Sequence, residues 1–274
     1  TARWMINKGA RHLALASRNA PANGEALRTL RELGADVRAF AVDTGDRADV
    51  ARLFEELKGV AHPLRGIVHA AGMLRRRPVV ETTGLEDDFR AKLDGARYLH
   101  EFTLDMELDF FVLYSSAASV WGAAGMGGYA AANHYLDALA DLRRRSGKPA
   151  LSVNWGPWDG GGMAGEEMRQ DWEKQGISLL PRADALETLG FLIASQEPRI
   201  SVAKVDWGAF KRVYEARRKR PLLELLGMPD QCESGSAADD SSFARELASA
   251  PARRRRALVT GLVEDLVRDV LGHE

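Results

Sequence analysis

Short apolar runs alternate with longer amphipathic stretches along most of this 274-residue chain. The short runs are apolar on both faces, which is typical of strands buried in a parallel sheet. The longer stretches repeat their apolar residues at helical spacing. Predicted strands cover 12–17, 37–42, 66–69, 109–115, 150–155 and 200–205, and predicted helices cover 24–33, 47–58, 85–103, 127–145 and 181–194. This order predicts an α/β fold with a doubly wound parallel sheet.

Polar or small residues follow five of the predicted strands. Arg18, Asp43, His69, Ser116 and Gly156 each stand at or just beyond a carboxyl end. In open parallel sheets, ligands bind beyond the carboxyl ends of the strands. These positions therefore predict a ligand site along one edge of the sheet.

The pattern changes after residue 227. Residues 229–242 are rich in Ser, Asp, Ala and Gly and offer little to bury, which indicates a linker. Residues 252–271 then predict a helix with one apolar side, formed by Leu258, Leu262, Val263, Leu266, Val267 and Val270. We therefore predict a main domain over 1–227, a linker over 228–251 and an isolated helix over 252–274.

Composition narrows the possible partners. The net charge is −1 and 45% of residues are hydrophobic, so nothing favours nucleic acid or an anionic membrane as a partner. The single cysteine, Cys232, has no second cysteine to pair with, which fits a reducing cytoplasm. No apolar run approaches the ~18 residues of a membrane span. We expect a cytoplasmic protein that binds neither nucleic acid nor membrane.

Four residues together have the chemistry to protonate a carbonyl. Tyr129 and Asn133 stand four residues apart on a predicted helix, so both lie on one helix face. A phenol has a pKa of about 10 and donates its proton more readily when a nearby cation stabilises the phenolate. Lys92 can supply that charge, and Ser116 can hold the same substrate oxygen. The four residues predict general-acid catalysis beside a hydride donor.

The stretch YSSAASVWGAAGMGGYAAAN at 114–133 resembles the ketoreductase domains of modular polyketide synthases, a branch of the short-chain dehydrogenase/reductases with a Rossmann-like fold. In most of that superfamily a lysine follows the tyrosine by four residues. The polyketide branch has asparagine there and an upstream lysine, as this chain does. Further matching segments are RHLALASR at 11–18, HAAG at 69–72, AKLDG at 91–95 and VNWGPW at 153–158, so the resemblance runs from residue 1 to about residue 227.

The resemblance places the catalytic positions of the family on four residues. Tyr129 is implied to donate the proton, Ser116 to position the oxygen, Lys92 to stabilise the phenolate and Asn133 to order the local hydrogen bonds. A lone helical lysine is otherwise most often a solvated charge. Ser115 competes with Ser116, and the spacing to Tyr129 selects Ser116.

The resemblance also implies NADPH as the cofactor, with no metal. Arg18 follows Ser17 where a guanidinium favours a 2′-phosphate, although it could instead be a solvated surface arginine. Asp43 resembles the acidic residue near the adenine but could be only a turn former. Residues 155–158 resemble the segment beside the nicotinamide, although Trp155 could be only core packing. The positions implied to contact the cofactor are Ser17, Arg18, Asp43, Thr44, His69, Ala70, Ala71, Gly72, Lys92, Tyr129, Gly156 and Pro157.

Substrate stereocontrol is implied by a second group of positions. The Leu-Asp-Asp signature of one stereochemical group is replaced here by Met73, Leu74, Arg75 and Arg76. In addition, Trp121 stands eight residues before Tyr129. Both features resemble the A-type group, which forms the L-hydroxyl, although Trp121 could be only a packed aromatic. Residues 160–181 resemble a lid over the substrate, or else an inert surface insertion. The implied stereocontrol residues are Trp121, Met126 and Met163.

A glycine-rich phosphate turn and the strand before it are expected for a dinucleotide site of this class. Residues 1–11 match the family helix that immediately follows that turn. We therefore expect that the first strand and the turn are missing from residues 1–274, and that a longer polypeptide binds NADPH much more tightly than this chain.

The family resemblance implies that the substrate is a polyketide chain tethered through phosphopantetheine to an acyl carrier domain, and that the partners are this domain and neighbouring synthase domains. The helix at 252–274 resembles the first helix of a carrier domain, without the Asp-Ser-Leu segment that bears the phosphopantetheine. The main alternative is a reductively silent domain that acts as a scaffold or as an epimerase at the 2-position. A free-standing reductase of a small metabolite is a further alternative.

Overall fold

The computed structural model describes residues 1–19, 24–78, 89–160, 165–195, 197–226, 249–251, 254, 255, 258, 260 and 261. The chain divides into two compact units, Thr1–Val205 and Asp206–Glu274. The predicted boundary at residue 227 stays a prediction. Cys232, most of the predicted linker and most of the predicted C-terminal helix lie outside the described residues.

The first unit alternates helices and strands as the apolar pattern predicts. Its first half contains α1 (Ala2–Asn7), β1 (His12–Ser17), α2 (Glu25–Glu32), β2 (Asp36–Ala41), α3 (Arg47–Lys58), β3 (Gly66–His69), a π-helical turn (Arg90–Asp94) and α4 (Gly95–Phe102). Its second half contains β4 (Phe110–Ser116), α5 (Ala118–Trp121), α6 (Gly127–Arg145), β5 (Leu151–Trp155), α7 (Glu166–Lys174), β6 (Ile177–Ser178), α8 (Arg182–Ile193), β7 (Arg199–Val202) and β8 (Lys204–Val205).

In the second unit, the described residues form a short stretch of helical structure. It contains α9 (Trp207–Tyr214) and a 3-10 turn (Pro221–Leu223). Asp206 caps α9 by accepting from the Ala209 amide at 3.1 Å. Phe210 is fully buried and stacks on Tyr214 at 3.9 Å between ring centroids. The pattern of apolar residues did not predict these elements.

The central sheet of the first unit is parallel. Its strand order is β3-β4-β5-β7, and β1 and β2 form a separate parallel pair. Among the described residues, β1 and β3 are each paired on one side only. β6 and β8 form a short antiparallel pair.

Helices cover both faces of the four-stranded sheet, which confirms the doubly wound arrangement. Phe111 and Leu113 of β4 pack on one face with buried residues of α3, α4 and α6. Val112 of β4 packs on the opposite face with Ala185 and Leu189 of α8. This alternation follows from the two-residue side-chain period of a strand, because apolar residues at successive positions supply both faces.

Two predicted elements differ in detail from the structure. The strand predicted over 200–205 is divided at Ala203 into β7 and β8, because its second part pairs with β6 instead of the central sheet. The helix predicted over 85–103 is seen from residue 89 onward, and it begins as the π-helical turn before continuing as α4. Within the described residues, no helix is both long and apolar enough to cross a bilayer.

Candidate active site

The four candidate catalytic residues lie together at the carboxyl edge of the sheet. Ser116 is the last residue of β4, Tyr129 and Asn133 lie in the first two turns of α6, and Lys92 lies in the π-helical turn. The Lys92 Nζ atom is 5.8 Å from the centroid of the Tyr129 ring. Three separate elements therefore bring a phenol, a hydroxyl and an ammonium group into one site.

Lys92 is a buried cation, not a solvated one. Its exposure is 4%, and its Nζ donates to the Tyr114 carbonyl at 2.7 Å. A Cβ atom on Gly72 would lie 2.6 Å from Lys92 Cε, so the lysine stem packs directly on the Gly72 backbone. Burial lowers the pKa of Lys92 to about 8, and the carboxylate of Asp137 opposes that decrease. The ammonium form therefore still predominates at neutral pH.

Tyr129 is held in its protonated form. Burial raises the pKa of its phenol, and hydrogen bonding with Ser116 and Asn133 acts in the opposite direction. Both partners are neutral, so they can orient the hydroxyl without removing its proton. Tyr129 therefore carries its proton at neutral pH.

Asn133 joins the helix to the rest of the site. Its Nδ2 atom donates to the Tyr129 carbonyl at 2.7 Å, and among the described groups its buried Oδ1 atom has no hydrogen-bond partner. Ser115 points into the interior and donates to the Asn133 carbonyl at 3.1 Å. Ser116 Oγ accepts from the Ala118 amide at 3.2 Å. The two adjacent serines therefore face different surroundings, as β-strand alternation requires.

The carboxyl ends of β2 and β3 meet at the start of α4. A Cβ atom on Gly95 would lie 3.0 Å from His69 Cε1 and 3.1 Å from Thr44 Oγ1. Asp43 turns the chain by accepting from the Gly45 amide at 2.9 Å, and its carboxylate is 3.3 Å from Arg90. The turn-forming role considered for Asp43 is therefore present in the structure.

The remaining predicted cofactor positions follow their strands as expected. Ser17 ends β1, and Arg18 follows it with an exposed side chain. Ala70, Ala71 and Gly72 follow β3, and Gly156 and Pro157 follow β5. Trp155 is 6% exposed and packs edge-on against Trp158 at 4.9 Å between ring centroids, so it contributes to the core.

His69 should make the protein less stable in acid. Its imidazole is 3% exposed, with Nε2 3.3 Å from the Lys92 carbonyl, and burial together with the Lys92 charge lowers its pKa to about 4. The unfolded chain binds a proton at this residue below about pH 6.5, whereas the folded chain does not until about pH 4. The free energy of unfolding should therefore decrease by up to about 3 kcal/mol as pH falls through this range.

Urea unfolding measured between pH 7 and pH 4 tests this expectation. His69→Gln should remove most of this pH dependence, whereas His62→Gln, which changes an exposed histidine, should retain it. An unchanged pH dependence in His69→Gln would show that another group causes the acid sensitivity.

Two of the three positions implied for stereocontrol lie in the segment that joins β4 to α6. Trp121 ends α5, and Met126 is 6% exposed immediately before α6. Met163 lies outside the described residues.

The predicted lid contains α7, which is linked to the segment after β3. Arg76 donates to Asp171 of α7 at 2.6 Å, and the Arg77 amide donates to the Gly125 carbonyl at 2.6 Å. Arg76, the last residue of the segment that replaces Leu-Asp-Asp, therefore contacts α7, and the residue after it contacts the loop before α6.

A buried polar cluster that the sequence pattern did not reveal lies against α6, the helix that carries two of the candidate catalytic residues. Asp137, Ser152 and Asn154 are each no more than 2% exposed and are hydrogen-bonded to one another, with Ser119 at their edge. Asp137 lies four residues after Asn133 and eight after Tyr129, so it shares their helix face. That spacing was a signal in the sequence, because an aspartate on the buried face of a helix is unusual unless it is paired.

Comparison with known proteins agrees with this geometry. Residues 1–160 match the family model described as "KR domain". The chain is 38% identical over 287 residues to polyketide synthase GfsA of Streptomyces halstedii, covering 99% of this chain and 4% of that protein. It is 41% identical over 231 residues to erythronolide synthase EryA3 of Saccharopolyspora erythraea, covering 83% of this chain and 7% of that protein. The chain thus spans only a small part of these relatives.

Solved structures show the same fold. The ketoreductase PlmKR1, from the first module of phoslactomycin biosynthesis in Streptomyces sp. HK803, superposes with a TM-score of 0.76 at 40% identity, covering 81% of this chain and 53% of that one. A structure described as an A-type ketoreductase from a modular polyketide synthase gives a TM-score of 0.75 at 38% identity, covering 81% and 48% of the two chains.

Proposed function

Because the chain belongs to the KR domain family, the ketoreductases of modular polyketide synthases that reduce β-keto groups, we propose that it uses NADPH to reduce the 3-keto group of a carrier-tethered polyketide chain. The proposed product is the 3-hydroxyl of L configuration. One observation carries the proposal: Lys92, Ser116, Tyr129 and Asn133 come from three separate elements and lie close together. The proposed partners are an acyl carrier domain and neighbouring synthase domains, in the cytoplasm.

The four residues have complementary roles in this reaction. A bound nicotinamide cofactor supplies the hydride. Ser116 donates a hydrogen bond to the ketone oxygen, and Tyr129 transfers its phenolic proton to that oxygen. Lys92 stabilises the resulting phenolate, because its buried ammonium lies against the ring. Asn133 fixes the first turns of α6 through its bond to the Tyr129 carbonyl.

The carboxyl ends of the parallel strands carry groups that suit a dinucleotide. Positions after β1, β2, β3 and β5 offer an exposed guanidinium, a carboxylate and small residues whose backbone a ligand can approach closely. The proposed contacts are Ser17, Arg18, Asp43, Thr44, His69, Ala70, Ala71, Gly72, Lys92, Tyr129, Gly156 and Pro157. The His69 imidazole is buried against the Lys92 carbonyl, so its contribution is confined to its backbone.

Arg18 is the proposed determinant of cofactor choice. Arg18→Asp should replace an attraction for the 2′-phosphate of NADPH by a repulsion and should weaken NADPH binding by about 10- to 100-fold relative to NADH. The measurement is KM for each cofactor in parent and variant. Arg38→Asp, a change on the exposed face of β2, should leave the preference unchanged. An equal loss for both cofactors in Arg18→Asp would contradict the proposed role.

The L configuration is proposed from Trp121 and from the absence of Leu-Asp-Asp at 73–76. The similarity to an A-type structure supports it. The decisive experiment is reduction of a decalone and of a 3-ketoacyl thioester by the natural polypeptide that contains this chain, with chiral analysis of the alcohol. NADPH-dependent L-alcohol formation is expected. A product consisting only of the D-alcohol would contradict the stereochemical assignment. Absence of NADPH oxidation would favour a scaffold or an epimerase acting at the 2-position.

A further inference from the structure

The turns of α6 that carry the proposed proton donor have little stability of their own. The first two residues of α6 are glycines, and no side chain caps the helix at Met126. Glycine is an unfavourable helix residue, and an uncapped first turn leaves backbone amides without partners. The large apolar side chains that anchor α6 in the core, Leu136 and Leu139, come about two turns or more after Tyr129. The position of Tyr129 therefore depends on contacts from outside the first turns of the helix.

Ser115 supplies such a contact from the neighbouring strand. Its Oγ atom lies 3.1 Å from the Asn133 carbonyl oxygen, and the two residues are 5% and 0% exposed. A carbonyl can only accept, so the single hydroxyl hydrogen of Ser115 is directed to α6. The Asn133 side chain extends the link, because its Nδ2 atom donates to the Tyr129 carbonyl at 2.7 Å. The hydroxyl of Ser115 thus joins β4 to the helical turn that begins at Tyr129.

Asn154 of β5 holds the Ser115 hydroxyl in this orientation. Ser115 and Asn154 are opposite each other in the parallel register of β4 and β5, so their side chains point to the same face of the sheet. Asn154 Nδ2 is 3.0 Å from Ser115 Oγ, and Asn154 is 2% exposed. This Nδ2 atom has two hydrogens, so it can donate to Ser115 and to Asp137 at the same time. Two buried hydrogen bonds therefore connect β5 through β4 to α6.

The Ser115 bond lies between two residues that are proposed to act on the same ketone oxygen. Ser115 precedes Ser116 in β4, and Asn133 follows Tyr129 by one turn of α6. Holding Ser115 against Asn133 therefore fixes the separation between the strand end that carries Ser116 and the turn that carries Tyr129. Proton transfer requires hydrogen-bond distance, and a displacement of about 1 Å can cost about 10²-fold in rate.

We infer that Ser115 is a positioning residue of the reductase site, whose hydroxyl holds the catalytic turn of α6 against β4. This inference rests on the proposed reduction only for its kinetic consequence. Ser115 itself donates to neither substrate nor cofactor, because its hydrogen is taken by the Asn133 carbonyl.

Ser115→Ala tests the inference in the natural polypeptide that contains this chain. The value of kcat for ketone reduction should decrease about 10- to 100-fold, and KM for the ketone should change less than about threefold. The control is Ser152→Ala, which removes a buried hydroxyl of β5 that is bonded to the Asp137 side chain and not to the backbone of α6. It should retain kcat within about twofold, even where it lowers the urea midpoint equally. An unchanged kcat in Ser115→Ala, or an equal decrease in both variants, would overturn the inference.

A second pair of variants separates the hydroxyl from the packing at this position. Ser115→Thr and Ser115→Val have the same branched shape, so any strain from added methyl groups is similar, and only threonine can donate. The threonine variant should have a kcat about tenfold or more above that of the valine variant. Equal kcat values would contradict the positioning role, and this comparison also decides the question if Ser115→Ala does not fold.

Hydrogen exchange of backbone amides tests the link without any substrate. In the segment 127–135, Ser115→Ala should increase the exchange rate about fivefold or more, because a buried hydrogen bond no longer opposes local opening. Ser152→Ala should leave the exchange of this segment unchanged. Unchanged exchange in Ser115→Ala would overturn the inference even if ketone reduction is observed. Faster exchange in a protein that reduces no ketone would refute the proposed function alone.

Discussion

Replacing Tyr129 with phenylalanine should lower kcat for ketone reduction by roughly 10²- to 10⁴-fold, the usual contribution of a general acid. The change removes only the hydroxyl, and the ring that lies against Lys92 remains. The fold should therefore persist. The measurement is steady-state NADPH oxidation with a saturating ketone.

Tyr135→Phe is the matched control for this variant. Tyr135 lies six residues later on the same helix, is partly buried and packs against the core on the α4 side. It should retain turnover close to that of the parent. If Tyr129→Phe kept full turnover while Tyr135→Phe abolished it, the assignment of the proton donor would be wrong.

Lys92→Met should lower kcat by about 10²-fold or more, because the phenolate formed on Tyr129 would lose its stabilising cation in a buried site. The pH dependence should change as well. With a lysine pKa of about 8, parent activity should be constant below that pH and should decrease above it as the ammonium loses its proton. The variant should lack this decrease.

The control for Lys92→Met is Lys58→Met. The Lys58 side chain is 65% exposed and forms an ion pair on the surface of α3, so it should affect neither kcat nor the pH profile. An alkaline decline near pH 8 that persisted in Lys92→Met would indicate that a different group titrates there.

The local pattern of apolar and polar residues was sufficient to predict most strands and helices of the first unit. The strands at 12–17 and 66–69 and the helices at 47–58 and 127–145 have the predicted bounds, because each has a strong apolar period and a clear end. Asp46, for example, begins α3 by accepting from the amides of Ala48 and Asp49. The division of the last predicted strand was not predictable, since it depends on pairing with β6, which is distant in sequence.

The proximity of the candidate residues could be predicted from the sequence, but the electrostatics around them could not. Spacing and family resemblance selected Lys92, Ser116, Tyr129 and Asn133, and the structure brings them together. Nothing in the sequence indicated that the lysine is 4% exposed, since helical lysines are usually solvated. The polar cluster was missed because its members come from α5, α6 and β5 and become neighbours only in the folded chain.

The turn at Arg90–Asp94 is π-helical, so it holds one residue more than an α-helical turn. That extra residue sets the direction in which the Lys92 side chain points. Loss of a single codon within this turn would restore ordinary helical winding and rotate the lysine by about 100°, since an α-helix has 3.6 residues per turn. The side chain would then leave the Gly72 backbone and the Tyr129 ring. A homologue with a one-residue deletion in this turn would therefore lose its reductase activity. It would still retain the tyrosine, serine and asparagine by which an alignment identifies an active enzyme.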